Sequence, residues 1–180
     1  MSNLRNNWKL QEVLNLFDKS FNELLFDAHE IHIANHKKDM VQVCTLLSIK
    51  TGGCPEDCGY CSQSIHSEDP IEATPLMSLE EVKKHVKQAR DQGSTRFCMG
   101  AAWRRPSNQN IDRVIKMVEI VHDLGMESCV TLGMLSEDQA IRLSKSGLNY
   151  YNHNLDTSRD YYAKVISTRN YQDRLNTLKY

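Results

Sequence analysis

The sequence has almost no net charge and no long apolar run. Its 180 residues carry 22 Lys and Arg against 23 Asp and Glu, and no basic tract stands out. A nucleic-acid or anionic-membrane partner therefore gains no electrostatic support. No stretch approaches the roughly eighteen apolar residues of a membrane-spanning helix, and the N-terminus lacks the apolar centre of a signal peptide. We expect a cytoplasmic protein with neither kind of partner.

The sequence also lacks the cysteine pattern of a disulfide scaffold. A reducing compartment disfavours disulfides, and the six cysteines are unevenly spread. Three of them cluster in "CPEDCGYC", residues 54–61, and the others stand alone in apolar runs. These are Cys44, Cys54, Cys58, Cys61, Cys98 and Cys129. Metal binding is the better interpretation of the cluster.

The order of periodic segments predicts an α/β fold. Two amphipathic helices are expected over residues 7–36 and an alternating strand over 40–50. Capping boxes begin helices at Ser78 and Ser136. Strands are expected in "STRFCMGAAW", "MESCVTLGML" and "LNYYNHNLD", with one or two helices over 158–180. Units of about thirty residues, strand then helix, favour a parallel sheet with right-handed crossovers.

The chemically unusual residues fall in these strands or just after them. The clustered cysteines follow strand one, Cys98 lies in strand two and Cys129 in strand three. Ligands of parallel α/β proteins bind at the carboxyl ends of strands, so we expect a site there. In strand four, Asn152, Asn154 and Asp156 are spaced by two and would share one face of an extended chain, although such residues are also common in turns.

Three kinds of site fit the clustered cysteines. A structural zinc site needs a fourth ligand, which His66 would supply. A redox pair of Cys58 and Cys61 leaves Cys54 unexplained. A four-iron cluster held by three thiolates leaves one iron without a protein ligand, and a substrate can coordinate there.

The cysteine motif, with an aromatic residue before its last cysteine, resembles the signature of radical S-adenosylmethionine (SAM) enzymes. The segments "VQVCTLLSIKTGGCPEDCGYCSQS", "FCMGAAWRRP", "ESCVTLGML" and "YYNHNLDTS" resemble the biotin synthase family, in register from about residue 10 to 180. The resemblance implies the first half of a TIM-type (β/α)8 barrel. It would comprise an N-terminal helical segment, 1–38, and a radical SAM core domain, 39–180, truncated after about four βα units.

The resemblance also implies the first cofactor site. Cys54, Cys58 and Cys61 would hold a [4Fe–4S] cluster whose open iron is chelated by SAM. Tyr60 would lie near the adenine, and Asn154 and Asp156 would bind the ribose hydroxyls. Gly52 and Gly53 fit a loop whose backbone approaches the cluster closely. Asn152 and Asn154 would hold the ureido ring of dethiobiotin, and no residue is assigned a catalytic role.

A second cluster is implied deeper in the barrel. Cys98 and Cys129, which taken alone resemble core residues, would ligate a [2Fe–2S] cluster that donates sulfur. Arg96, on the same strand face, would stabilise charge near it. We expect Cys44 to be a core residue and the helical histidines, His29, His85 and His122, to have no role in the site.

The activity implied is radical sulfur insertion converting dethiobiotin to biotin, with flavodoxin or ferredoxin as electron donor and a homodimer in the full-length family. Other radical SAM chemistry, a zinc or iron–sulfur interaction module, and an inactive fragment that retains [4Fe–4S] and SAM binding are the alternatives. The final segment "RNYQDRLNTLKY" predicts a helix with no strand after it. We therefore expect the first half of such an enzyme, with the [2Fe–2S] ligand set incomplete because a third cysteine and an arginine lie beyond it.

Overall fold

The computed structural model describes residues 5–180, which fall into two compact units. One ends at Val41 and contains helices α1, Leu10–Phe17, and α2, Phe21–Asn35. A capping box starts α2: the Ser20 side chain accepts from the Glu23 N–H, and the Glu23 carboxylate accepts from the Ser20 N–H. The two predicted helices are confirmed. The predicted domain boundary between residues 38 and 39 stays a prediction.

The second unit, from Gln42, is built on a parallel sheet of four strands in the order β1-β2-β3-β4. The strands are β1 Cys44–Lys50, β2 Arg96–Ala101, β3 Glu127–Thr131 and β4 Tyr150–Tyr151. The helices between them are α3 Leu79–Asp91, α4 Asn108–Asp123 and α5 Glu137–Lys145. Each crossover moves one position further in the same direction. This order without reversal is that of consecutive units in a (β/α)8 barrel.

The fourth strand is shorter than the sequence predicts. The Asn152 N–H still donates to the Val130 carbonyl at 2.9 Å, but the strand prediction beyond Tyr151 is wrong. Because β3 ends at Thr131, one residue past the partner of Tyr151, the following residues have no ladder to join. A 3-10 helix, Arg159–Tyr161, and helices α6, Tyr162–Val165, and α7, Tyr171–Lys179, complete the chain and confirm the predicted helices there.

The core lies between one face of the sheet and its helices. Phe97 and Met99 of β2 and Val130 of β3 are fully buried against α4, whose apolar stripe is fully buried as well. That stripe comprises Ile111, Val114, Met117, Val118 and Val121. The capping boxes predicted at Ser78 and Ser136 start α3 and α5. This helix-covered face fixes which side chains the strands present on their other face.

The other face of the sheet, here called the open face, carries the alternate residues of each strand. Leu46 of β1 remains 72% exposed there, although parallel sheets are usually covered on both faces. Cys98 and Cys129 also belong to the open face, since Phe97, Met99, Ser128 and Val130 point to the helices. In residues 5–180, the structure contains no helix that is both long and apolar enough to span a bilayer.

Candidate iron–sulfur and cofactor site

The segment between β1 and α3 folds back on itself immediately after the strand. Gly52 has a φ of 65°, and a Cβ added there would lie 2.5 Å from the Ile71 carbonyl oxygen and 2.7 Å from that of Glu72. The residue must therefore be glycine because the returning backbone passes against it. The close approach at Gly52 is made by the protein's own backbone. Gly53 shares the left-handed conformation, with a φ of 65°.

The three clustered cysteines are held by backbone contacts within this segment. The Cys54 N–H donates to the Gln63 carbonyl at 2.9 Å, and the Cys54 carbonyl accepts from Ile65 at 2.9 Å. The Cys61 N–H donates to the Cys58 carbonyl at 3.0 Å, closing a turn. All three side chains line one cavity of about 330 Å³. Burial raises the pKa of the Cys54 and Cys58 thiols.

The same cavity brings together residues predicted from distant parts of the sequence. Tyr60, Asn154 and Asp156 line it with the cysteines. Asn154 is exposed to solvent within it. Asn152 is not among the lining residues, and its amide donates to the Thr131 hydroxyl at 3.2 Å. Because β4 ends early, the three polar residues do not share one strand face as predicted.

Asp156 is the most constrained of these residues. Its φ of 70° lies in the left-handed region, and its side chain is 2% exposed. One carboxylate oxygen accepts from the Tyr60 hydroxyl at 2.6 Å, and the other accepts from Arg174 at 2.8 Å and Arg169 at 3.1 Å. Burial would raise the Asp156 pKa, but the Tyr60 hydrogen bond and the guanidinium groups keep it below its usual range.

Arg169 is a central residue of the site that the sequence did not reveal. Its guanidinium group is 3% exposed and lies 3.0 Å from a Glu56 carboxylate oxygen and 3.1 Å from one of Asp156. It also donates to the Cys58 sulfur at 3.2 Å and to the Tyr162 hydroxyl at 3.0 Å. A cation this close to a cysteine sulfur favours its thiolate form. Arginine is common in loops, so the sequence contains no signal for this role.

Glu56 and Asp57, inside the cysteine motif, tie it to the segment before α7. The buried Glu56 carboxylate contacts Arg169 and the Thr168 hydroxyl through one oxygen, and among the described residues its other oxygen accepts no hydrogen bond. Asp57 accepts from the backbone N–H groups of Ser167 at 3.0 Å and Thr168 at 3.1 Å. The hydrogen bond from the Ser167 hydroxyl is the main cause that lowers the Asp57 pKa.

His153 is a second residue of the site that the sequence did not reveal. It is buried, lines the cavity, and lies 3.3 Å from an Arg174 nitrogen. Burial and the adjacent Arg174 cation lower its pKa to about 4. Near neutral pH this imidazole is therefore uncharged, and the cations of the cavity are arginines.

The residues predicted for a second cluster lie on the open face. Cys98 and Cys129 are register partners in adjacent strands, and both side chains belong to the open face. Arg96, on the same face, pairs with Glu127 at 2.9 Å and stacks on the ring of Tyr150 with 3.8 Å to the centroid. Its charge opposes the rise that burial causes in the Cys98 pKa.

The prediction that Cys44 is a core residue is wrong. As the first residue of β1, it points to the open face and is exposed, and its sulfur lies 3.3 Å from that of Cys98. Among the helical histidines, His29 and His85 are exposed, and His122 hydrogen-bonds to Ser128 and Asn149.

Within residues 5–180, no group of three or more His, Cys, Asp or Glu is arranged to hold a metal ion. A four-iron cluster is larger than one ion, and its ligands lie on different sides of it. Three half-buried thiols around one cavity, with a guanidinium group at one of them, fit such a cluster. In the zinc alternative, His66 would be the fourth ligand. His66 is exposed, and its backbone N–H donates to the Ser64 hydroxyl at 3.0 Å.

The fold and this cavity define the first half of a (β/α)8-barrel enzyme with a cofactor site that is lined by cysteines. The model of the radical SAM superfamily matches residues 48–180, from β1 through the last helix. The chain therefore belongs to the radical SAM superfamily. This membership implies a [4Fe–4S] cluster and SAM as cofactors.

Within that superfamily the chain is similar to biotin synthases. It is 57% identical over 178 residues to the "Biotin synthase" of Thioalkalivibrio sulfidiphilus, covering 99% of this chain and 52% of that protein. It is 55% identical over 179 residues to that of Erythrobacter litoralis, covering 99% and 52%. The chain thus spans about half the length of these curated relatives.

The solved structure of methylornithine synthase superposes with a TM-score of 0.76 at 17% sequence identity, covering 96% of this chain and 52% of that one. At this identity the likeness shows the fold alone. It confirms the predicted first half of a (β/α)8 barrel.

Proposed function

We propose that this chain supplies the cofactor-binding half of a biotin synthase, which converts dethiobiotin to biotin by radical sulfur insertion. The observation that carries the proposal is the single cavity in which Cys54, Cys58 and Cys61 meet Tyr60 and Asp156. More than half of the residues are identical to those of curated biotin synthases over nearly the whole chain.

In this proposal Cys54, Cys58 and Cys61 hold the [4Fe–4S] cluster and SAM binds beside it. When both are bound, one electron from the cluster cleaves a carbon–sulfur bond of SAM to give methionine and a 5′-deoxyadenosyl radical. The chain's own part is to bind, orient and exclude water. Arg169 sits 3.2 Å from the Cys58 sulfur and offsets negative charge at that ligand.

Asp156 is suited to bind the SAM ribose because its carboxylate is already oriented. Arg169 and Arg174 occupy one oxygen, whereas among the described residues the other accepts only the Tyr60 hydroxyl. That second oxygen can accept a further hydrogen bond from a ribose hydroxyl. Asn154, exposed in the cavity, is the neighbouring ribose ligand, and Tyr60 lies near the adenine.

The substrate assignments follow from the chemistry of amides. The ureido ring of dethiobiotin offers N–H donors and a carbonyl acceptor, which the side chains of Asn152 and Asn154 complement. Cys98 and Cys129 hold the [2Fe–2S] cluster that supplies the sulfur, with Arg96 as a nearby cation. A flavodoxin or ferredoxin as reductant, a homodimeric whole enzyme and a cytoplasmic location complete the proposal.

A chimera tests this function. Residues 1–180 replace the matching half of the Thioalkalivibrio sulfidiphilus biotin synthase, and the gene is introduced into a biotin-requiring strain supplied with dethiobiotin. We expect growth, and we expect the same chimera with Cys58→Ala to give none. A chimera that folds and binds iron but supports no growth would refute the proposed activity.

The cluster assignment has its own test. Anaerobic reconstitution with iron and sulfide should give a brown protein, and alanine at Cys54, Cys58 or Cys61 should remove most of the iron bound there. Purification with stoichiometric zinc that His66→Ala releases would overturn the assignment in favour of a zinc site.

A further inference from the structure

Arg169 uses every nitrogen of its guanidinium group inside the protein. Its Nε donates to the Tyr162 hydroxyl at 3.0 Å, and one terminal nitrogen lies 3.0 Å from a Glu56 carboxylate oxygen. The other terminal nitrogen donates to Asp156 at 3.1 Å and to the Cys58 sulfur at 3.2 Å. A terminal guanidinium nitrogen carries two N–H groups, so the nitrogen at the sulfur is fully used. The planar group therefore cannot turn away from the sulfur without giving up a contact with a carboxylate.

The sulfur contact is also held from the backbone. Asp57 accepts from the Thr168 N–H at 3.1 Å, and each of these two residues directly precedes a partner in the sulfur contact. The Gly59 N–H, on the other side of the cysteine, donates to a carbonyl of the same distant segment at 3.0 Å. Both neighbours of Cys58 thus bind the segment that carries Arg169, which fixes the distance between the two side chains.

A second arginine of the cavity differs from Arg169 in one respect. Arg174 contacts the same Asp156 oxygen at 2.8 Å, and its other contact is with His153 at 3.3 Å. Among the residues that the structure describes, Arg169 is the one side chain that donates to a sulfur of the cysteine motif. The two arginines therefore bring the same charge to the same carboxylate, and only Arg169 adds an N–H group at a thiol.

An N–H group at a cysteine sulfur changes the reduction potential of an iron–sulfur cluster that the cysteine binds. Reduction adds one negative charge, so the hydrogen bond stabilises the reduced cluster more than the oxidised one. A donor that is itself a cation forms the stronger bond. Hydrogen bonds to the sulfurs are among the features by which a protein sets this potential.

We propose that Arg169 sets the reduction potential of the [4Fe–4S] cluster through its hydrogen bond to the Cys58 sulfur. The inference rests on the proposed function, which places this cluster at Cys54, Cys58 and Cys61. The contact makes the cluster easier to reduce by the one electron that a flavodoxin or ferredoxin donates. Arg169 acts through a cluster ligand, so its role is tested by a potential and a spectrum.

The experiment measures the cluster of the 180-residue chain without SAM. The chain is reconstituted anaerobically with iron and sulfide and poised at a series of potentials, and the reduced cluster is counted by EPR. Arg169→Lys keeps a cation beside the carboxylates but loses the planar group that reaches the sulfur. We expect its ratio of reduced to oxidised cluster at a fixed potential to fall about tenfold, a shift of about 59 mV for a one-electron couple. Arg174→Lys is the matched control and should leave the ratio almost unchanged, since it removes no N–H group from a sulfur.

Isotope labelling gives a second readout that needs no variant to fold. In the unsubstituted chain made with ¹⁵N-arginine, pulsed EPR of the reduced cluster should show a ¹⁵N hyperfine coupling, which Arg169→Lys should lose. If Arg169→Lys takes up no iron, the labelled unsubstituted chain decides alone.

Three outcomes would overturn the inference while leaving the cluster in place. They are no ¹⁵N coupling in the unsubstituted chain, an unchanged ratio in Arg169→Lys, and an equal fall in Arg174→Lys. A chain that assembles no [4Fe–4S] cluster at Cys54, Cys58 and Cys61 would instead refute the proposed function.

Discussion

Arg169→Met should destabilise the protein far more than an ordinary surface arginine replacement. The substitution keeps much of the side-chain volume but removes a cation that lies between two carboxylates, Glu56 and Asp156, which are 3% and 2% exposed. Asp156 keeps Arg174 at 2.8 Å. Among the described residues, the one cation that Glu56 keeps is Arg104, at 3.4 Å and 48% exposed, besides the Thr168 hydroxyl, so most of the cost arises at Glu56.

The expected loss in the free energy of unfolding is about 3–5 kcal/mol, the usual cost of leaving a buried charge without its partner. Arg142→Met is the matched control, because Arg142 pairs with Asp112, which is 61% exposed. An exposed pair contributes about 0–1 kcal/mol. The double variant with Glu56→Gln should recover part of the loss, since the uncompensated charge is then gone.

Urea unfolding followed by Trp103 fluorescence, in a Trp8→Phe background, measures these differences in the second unit. The iron content of the reconstituted variant provides a second measurement, because Arg169 also lies 3.2 Å from the Cys58 sulfur. A loss no larger than that of Arg142→Met would refute the reasoning, since it would mean that neither carboxylate depends on Arg169.

Gly133→Ala should lower the free energy of unfolding by more than about 2 kcal/mol, because its φ is 83° and a Cβ would lie 2.6 Å from the Arg104 carbonyl oxygen. Gly93→Ala is the control: its φ is 89° but the space around it is open, so it should lower the free energy of unfolding by only about 1 kcal/mol. Equal losses for the two variants in urea unfolding would contradict this. Asp156→Asn should weaken calorimetric SAM binding by about 1–3 kcal/mol at unchanged iron content, and unchanged affinity would exclude the ribose role. The pKa of His153 is lowered to about 4 in the folded protein, so as pH falls this imidazole is protonated first in the unfolded chain. The free energy of unfolding should therefore drop between about pH 6.5 and 4. An identical pH profile in a His153→Gln variant would contradict this.

The fold could be predicted because its signals are local and periodic. Ser78 with Glu81 and Ser136 with Gln139 form the capping boxes that start α3 and α5. Strand–helix alternation then leaves a parallel sheet as the simple solution. The extent of β4 could not be predicted, because it depends on where β3 ends and not on the residues of β4 themselves.

The cysteine motif was predictable for the same reason, since its three thiols lie within eight residues. Its partners were not. Arg169 reaches Cys58 and Glu56 from a segment more than a hundred residues further along the chain, which the cysteine motif holds through Asp57, accepting from Thr168, and Gly59, donating to the Val165 carbonyl at 3.0 Å. The prediction that Cys44 is a core residue was wrong because the alternation of residues along a strand defines two faces but does not say which face the helices cover.

The charges of the cavity link its stability to its chemistry. Arg104, Arg169 and Arg174 line it against two carboxylates, Glu56 and Asp156, and the depressed pKa of His153 leaves that residue neutral. Before any thiol ionises, these groups carry one excess positive charge. Deprotonation of the three cysteines reverses the sign, and Arg169, which lies 3.2 Å from the Cys58 sulfur, then has a thiolate beside it in addition to its two carboxylates. Arg169, which holds the two buried carboxylates in place, is thus the same group that favours the thiolate form of Cys58. For this reason, the loss of Arg169 should lower the free energy of unfolding and the iron content together.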